Sequence, residues 1–312
     1  MAAAYRPPPP IPRPPPLAMS SANNAEVEWP EEVSGYEKER DLSVGLFPAV
    51  ILAHVRGAVR QKAVMKAIGL TGLHDARERL CRAEVQALQQ LDHPHIVKCY
   101  ASIEDEDSQE RARSVLVLEF ASRGNLEQLI TDTYFTKRKR LPEKQIWRLF
   151  AQIAAAIAHV HERGILHRDL KPAHVLLDAP QMTVKVCDFT LCRLFLQNTV
   201  RSKTRVGTPH YLSPERAARS DYNFASDVWS MGCILYEMTS GRSPFGSERS
   251  NEFALYRNLQ TADFPPLPDA ERRTPHLKLL VRLCLQVDHS RRPSAAQVQR
   301  FAEKMARRCF AW

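Results

Sequence analysis

Two short strings in this sequence hold residue types that can do chemistry together. His167-Arg168-Asp169-Leu170-Lys171-Pro172 sets a carboxylate between two cations, and Asp188-Phe189 supplies a second carboxylate nineteen residues after Asp169. A carboxylate can take or orient a hydroxyl proton, and its oxygens are the ligands that a hard divalent cation prefers. Lys66, at the end of Ala63-Val64-Met65-Lys66, and Glu84 further on add a cation and a third carboxylate. Alone, each string is weak evidence. Their chemistry depends on whether the chain brings them to one place.

The intervening sequence predicts elements able to do that. Residues 44–55 and 59–68 are short, β-branched and apolar, as is Val115–Phe120, and these read as strands of an antiparallel sheet. Residues 75–91 read as a helix with Leu80, Glu84, Leu88 and Leu91 on one side. Glu104-Asp105-Glu106-Asp107 reads as a surface hairpin loop. Beyond Asn125 helices dominate. Ile146, Phe150, Ile153, Ile157 and Val160 recur at steps of four and three, which predicts a long amphipathic helix over 141–163. Val184–Cys187 reads as a strand, 227–239 as a helix apolar nearly all round, and 277–286 and 294–308 as two more helices. The pattern is α+β: a small sheet lobe, then a larger helical lobe, with a cleft between them.

Composition narrows the class. The chain has 312 residues, 44% hydrophobic and 25% charged, which suits a folded globular domain. No apolar run reaches the roughly 18 residues of a membrane span, and the start lacks a secretory apolar core, so a cytoplasmic or nuclear protein with no membrane partner is expected. Seven scattered cysteines without a C-x-x-C pair predict free thiols. The net charge of +9 is spread along the chain and does not predict a nucleic-acid partner. Its one dense cluster, Lys137-Arg138-Lys139-Arg140, reads as a solvated loop before a helix, or else as a nuclear-localisation patch. Residues 1–33 form a disordered proline-rich segment by composition, with eight prolines among the ten residues from Pro7 to Pro16. Arg6-x-x-Pro9-x-x-Pro12 fits an SH3-type docking pattern, the alternative being a stiff spacer. No feature predicts self-association.

The order and spacing of the chemical strings resemble the eukaryotic protein kinase signature set. Val206-Gly207-Thr208-Pro209 through Pro214-Glu215 resembles the end of an activation segment, Asp227-Val228-Trp229 the helix that anchors a catalytic loop, and Arg292-Pro293 the late arginine that pairs with Glu215. Leu141 through Trp147, Pro214-Glu215-Arg216, Tyr222-Asn223-Phe224, Ser243-Pro244-Phe245 and Phe264 through Pro268 are similar to the short NIMA-related kinases. The resemblance implies a bilobal kinase domain over 36–305, with an N-lobe at 36–118, a hinge at 119–121 and a C-lobe at 122–305. It also implies ATP and Mg²⁺, protein substrates with Ser or Thr acceptors, and a cytoplasmic location with nuclear or cytoskeletal alternatives.

Roles follow from that resemblance. Lys66 is expected on the α- and β-phosphates, held by Glu84; Asp169 on the substrate hydroxyl; Lys171 on the γ-phosphate; and Asp188 on Mg²⁺. Gly45 and Val50 are expected to cover the nucleotide, Glu119 and Ala121 to meet adenine, Leu118 to guard the pocket and Leu176 to lie beneath the ring. Arg168 would receive a phosphate on Thr204, with Ser202 and Thr199 as further acceptors, because phosphorylation adds nearly two negative charges.

Four departures bear on activity. The expected glycine-rich loop reads Ser43-Val44-Gly45-Leu46-Phe47-Pro48, and Pro48 has no N–H to offer a phosphate. Val64 stands where a smaller Ala usually faces adenine. Thr190 replaces the glycine after Asp188-Phe189. His174 stands where an Asn would hold a second Mg²⁺; imidazole nitrogen suits Mn²⁺ and other transition metals better than Mg²⁺. A hydrogen bond within the catalytic loop is the plainer role for His174. Two readings survive: a serine/threonine kinase that is slow or metal-selective, and a pseudokinase scaffold that binds partners without efficient transfer.

Overall fold

A computed structural model describes residues 35–43, 49–69, 85, 88–106, 112–189, 209–218, 223–246, 252–267 and 274–310. The proline-rich head, Gly45, Pro48, Glu84, Thr190, Thr199, Ser202, Thr204 and Thr208 lie outside them.

The small lobe is a five-stranded antiparallel sheet of β1 (Tyr36–Asp41), β2 (Ala49–Val55), β3 (Ala58–Gly69), β4 (Cys99–Glu106) and β5 (Ala112–Glu119), in the order β1-β2-β3-β5-β4. Two of these strands are not legible in the apolar pattern. β1 is almost entirely charged and forms the sheet edge. β4 runs through Glu104 and Glu106, which corrects the reading of this acidic stretch as a loop: strand pairing with β5 overrides the low strand propensity of carboxylates. Val85 and residues 88–90 are helical, within the predicted helix.

Alternation along β3 divides its side chains between two faces. Ala63, Met65 and Ala67 join Ile51, Ala53, Val115 and Val117 in a buried cluster on one face. The other face carries two cross-strand rungs, Val50-Lys66-Leu116 and Leu52-Val64-Leu118. Lys66 thus points away from the apolar cluster and reaches Asp188 in the large lobe.

The large lobe begins with α1 (Leu126–Thr131), capped by reciprocal bonds between Asn125 and Gln128. A π-helical turn (Asp132–Thr136) leads to exposed Lys137–Arg140, a solvated loop ahead of α2 (Glu143–Glu162). The apolar stripe of α2 buries Ile146, Phe150, Ile153, Ile157 and Val160 completely, each contributing about 1.5–3 kcal/mol for a large side chain. After α2 come the paired strands β6 (Val175–Asp178) and β7 (Thr183–Val186), then α3 (Pro214–Ala217), the central α4 (Phe224–Ser240), α5 (Glu252–Thr261), α6 (Pro275–Cys284) and α7 (Ala295–Phe310). Gly232 lets α4 approach α6 closely: a Cβ there would lie 2.7 Å from the Cβ of Cys284.

Candidate active site

The loop between α2 and β6 is held from below by one buried carboxylate. Asp227, near the start of α4, is fully buried and accepts the backbone N–H groups of His167 (2.9 Å) and Arg168 (3.0 Å). His161 Nε2, at the end of α2, lies 2.9 Å from the same carboxylate. The His167 ring lies 3.1 Å, through Nε2, from the Cys187 carbonyl and packs against Phe189, joining this loop to the segment after β7. A second anchor is the fork of Arg292 on Glu215, two bonds of 2.8 Å with the Arg292 side chain fully buried.

On this base the polar residues read from the sequence converge. Lys66 Nζ, on the small-lobe sheet, donates to Asp188 Oδ1 at 2.6 Å, across 122 residues of chain. Lys171 Nζ donates to Asp169 Oδ2 at 3.0 Å. His174, buried, bridges the two aspartates: Nδ1 lies 2.8 Å from the Asp169 carbonyl, and Nε2 lies 3.3 Å from Asp188 Oδ2. Asp188 has φ 60° and Arg168 φ 70°, left-handed backbone that is uncommon for non-glycine residues and clusters at functional sites.

The electrostatics follow from these contacts. Burial alone would raise the Asp188 carboxyl, yet the Lys66 ammonium beside it holds it down at about 2. Burial pushes the His174 imidazole down to about 4 despite the neighbouring carboxylate of Asp188. At neutral pH His174 is therefore uncharged. A carbonyl oxygen only accepts, so Nδ1 carries the proton and Nε2 turns a lone pair toward Asp188. Two acceptors facing each other are relieved by a cation.

The profile of the protein kinase domain family matches residues 36–301. The chain belongs to the protein kinase family. Among curated relatives, this kinase domain is 35% identical over 238 residues to the "Probable serine/threonine-protein kinase nek2" of Dictyostelium discoideum, covering 75% of this chain and 54% of that one. It is 32% identical over 271 residues to "Serine/threonine-protein kinase nekl-2" of Caenorhabditis elegans, covering 85% and 73%. It is 34% identical over 240 residues to human "Serine/threonine-protein kinase Nek2", covering 75% and 52%. These relatives place it among the NIMA-related kinases. The chain spans about half the length of the Dictyostelium and human relatives.

Other kinase positions read from the sequence are distributed as follows. Leu176 lies on the face of β6 opposite the buried Val175 and Leu177, paired in register with Lys185 of β7. The N–H of Glu119 is spent on the Lys98 carbonyl. Ala121 follows in the irregular link to α1. Ser43 closes the turn between β1 and β2, its hydroxyl accepting from the Val50 N–H at 2.9 Å. Among the described residues Lys66 pairs with Asp188, and its expected partner Glu84 lies outside them.

Sequence reasoning missed two polar clasps from the end of β5 and the link after it to the β6–β7 pair. The Glu119 carboxylate takes Lys185 Nζ at 2.7 Å, and Asp178 accepts both the N–H and the hydroxyl of Ser122. Neither pair has a spacing rule that could have revealed it. It also missed Glu237 of α4, whose carboxylate accepts the Tyr211 hydroxyl at 2.6 Å.

Among the described residues no group of three His, Cys, Asp or Glu side chains could hold a metal ion. That fits Mg²⁺ in a kinase, which takes one or two protein carboxylates and completes its shell with phosphate and water oxygens. Asp188 would offer such a carboxylate, with the His174 ring nitrogen 3.3 Å from it.

Proposed function

We propose that the protein is a serine/threonine kinase that transfers the γ-phosphate of ATP to protein hydroxyls, with an altered metal preference. The convergence of Lys66, Asp169, Lys171 and Asp188 around His174 carries this reading. In it, Lys66 leaves Asp188 for the α- and β-phosphates, Asp169 orients the acceptor hydroxyl, and Lys171 neutralises charge developing on the transferred group. Asp188 would hold Mg²⁺ arriving with the nucleotide, and the ion would neutralise phosphate charge. Val50, Leu118, Val64 and Leu176 would sandwich adenine, with Glu119 and Ala121 at its edge, Gly45 over the phosphates and Glu84 steadying Lys66.

The test is phosphate transfer to a generic basic protein, with Asp169→Asn as the blank. Transfer above the blank with either Mg²⁺ or Mn²⁺ supports the enzyme; none with either sinks it. Mn²⁺ should exceed Mg²⁺ for the wild type, because an N,O donor pair suits a transition metal better than Mg²⁺. His174→Asn should reverse that preference and raise the Mg²⁺ rate. Equal rates across these conditions remove His174 from the metal site.

A pseudokinase is the second reading. It is favoured by His174 itself, which sets a ring nitrogen 3.3 Å from Asp188 where the resemblance expects an amide oxygen. ATP-dependent thermal stabilisation without transfer would support it.

Regulation by phosphate on the segment holding Ser202 and Thr204 belongs to the same proposal. Among the described residues the Nε of Arg168 is buried without a hydrogen-bond partner, next in sequence to Asp169. Thr204→Ala should then lower specific activity after activation; equal activity would dismiss it.

A further inference from the structure

Away from the cleft, a groove of about 480 Å³ opens between α6 and α7. Its floor is apolar, formed by Leu280, Leu283, Val298 and Phe301. Leu279 and Val287 continue the apolar strip on the outside, 48% and 42% exposed, and Leu283 is itself 37% exposed. Such a strip on a folded surface marks a site where something docks.

The surroundings are basic. Residues 274–310 hold eight Lys or Arg against Asp288 and Glu303, a net of +6 within a chain of +9. Arg292 is spent on Glu215, but Arg282, Arg300 and Lys304 have no acidic partner among the described residues. Arg300 and Lys304 stand three residues beyond Gln297 and Phe301, a spacing that keeps them on the groove side of α7. An apolar floor with an unpaired cationic rim selects a short acidic segment bearing a large apolar anchor.

The chain itself contains one. Glu26-Val27-Glu28-Trp29-Pro30-Glu31-Glu32 places four carboxylates around Val27 and Trp29. Tryptophan anchoring in a pocket and arginine at its rim are the residue types that dominate binding hot spots. The other acidic stretch, Glu104–Asp107, has no aromatic residue, and Glu104–Glu106 is committed to β4. Only three residues separate Glu32 from Tyr36, where β1 starts at the edge of the small-lobe sheet, a reach of about 10 Å. α6 and α7 pack instead on α4 and α2 in the large lobe, so that short tether favours a donor from outside the same molecule.

We propose that the α6–α7 groove receives the Glu26–Glu32 segment of a second copy of this chain. Two copies that exchange segments reciprocally form a closed dimer, whereas one-way donation is heterologous and extends a chain.

The test uses a fluorescein-labelled peptide of residues 24–34 with the full-length protein, followed by fluorescence polarisation, alongside light scattering of the unlabelled protein. The peptide should bind, weaken as salt rises from about 50 mM to about 500 mM, and lose about tenfold or more in affinity when Trp29 is Ala. Leu283→Glu should lower peptide affinity comparably and shift the full-length protein toward monomer. Should Leu283→Glu fail to fold by circular dichroism, the surface pair Arg300→Glu and Lys304→Glu carries the same expectation. Equal peptide affinity for wild type and for whichever of these variants folds overturns the site. A wild-type protein that stays monomeric at all concentrations overturns the donor, even if the peptide binds. Neither result touches the phosphotransfer reading, which has its own assay.

Discussion

The framework beneath the catalytic loop and the cleft above it handle charge in opposite ways. In the framework, Asp227 is answered by backbone N–H groups and an imidazole, and Glu215 by the fork of Arg292 and the Ser226 hydroxyl. Each charge there has dedicated partners and little or no solvent. In the cleft, Lys66 pairs with Asp188 and Lys171 with Asp169, while His174 Nε2 faces Asp188, and most of these side chains keep some exposure. Partners of that kind can be exchanged for a nucleotide. The framework is therefore built for permanence and the cleft for substitution, and the departure at His174 falls in the cleft.

The sharpest way to break this contrast is to remove a framework charge. Asp227→Ala should cost about 3–5 kcal/mol, because it strands two buried N–H donors and an imidazole; a chemical denaturation midpoint near wild type would contradict it. Arg292→Ala should cost a similar amount by leaving Glu215 buried and unpaired. It should also change the acid response. Burial alone would raise the Glu215 carboxyl, but Arg292 and Ser226 outweigh it and hold it at about 2. A carboxyl lowered by folding stabilises above its unfolded value of about 4.5 and loses that stability as pH falls toward 2. Stability measured between pH 5 and pH 2 should fall more steeply in wild type than in Arg292→Ala.

Much of this was legible in the sequence, for reasons tied to particular residues. The α2 stripe, the all-round apolar α4 and the ordered motif strings each follow a local rule. β1 and β4 were not legible, because their strand character comes from pairing with β2 and β5 and their own residues are charged or mixed. The Lys66–Asp188 pair, the Glu119–Lys185 clasp and the two-sided bridging by His174 depend on contacts between residues 5 to 122 apart. Spacing named most of the participants and could not name the pairs.

Glu237 is an exception within the framework and sharpens the comparison. Burial, with Glu127 adding to it, raises its carboxyl to about 7 even though Tyr211 donates a hydrogen bond. A carboxyl raised by folding binds more protons in the folded state, so stability is highest below about pH 4.5 and falls as pH rises through 7. Glu237→Gln keeps an acceptor for Tyr211 without the charge. It should therefore be more stable than wild type at pH 8, by about 3 kcal/mol, with the difference vanishing near pH 4. Parallel denaturation curves at both pH values decide it.

The smallest stability effect should come from the residue with the largest proposed effect on rate. Lys66→Met removes the cation that meets Asp188 at 2.6 Å, but the Asp188 side chain is 36% exposed and water can take over part of the interaction. Partly exposed ion pairs contribute about 0–1 kcal/mol, so the melting temperature should barely move. Phosphate transfer should fall to the level of Asp169→Asn, because nothing else at that position on β3 can meet the nucleotide phosphates. A large loss of stability would mean that the Lys66–Asp188 pair belongs to the framework after all. Intact transfer would mean that the cleft works without its lysine. The pairing of a silent melt with a silent enzyme is what a cleft built for exchange requires.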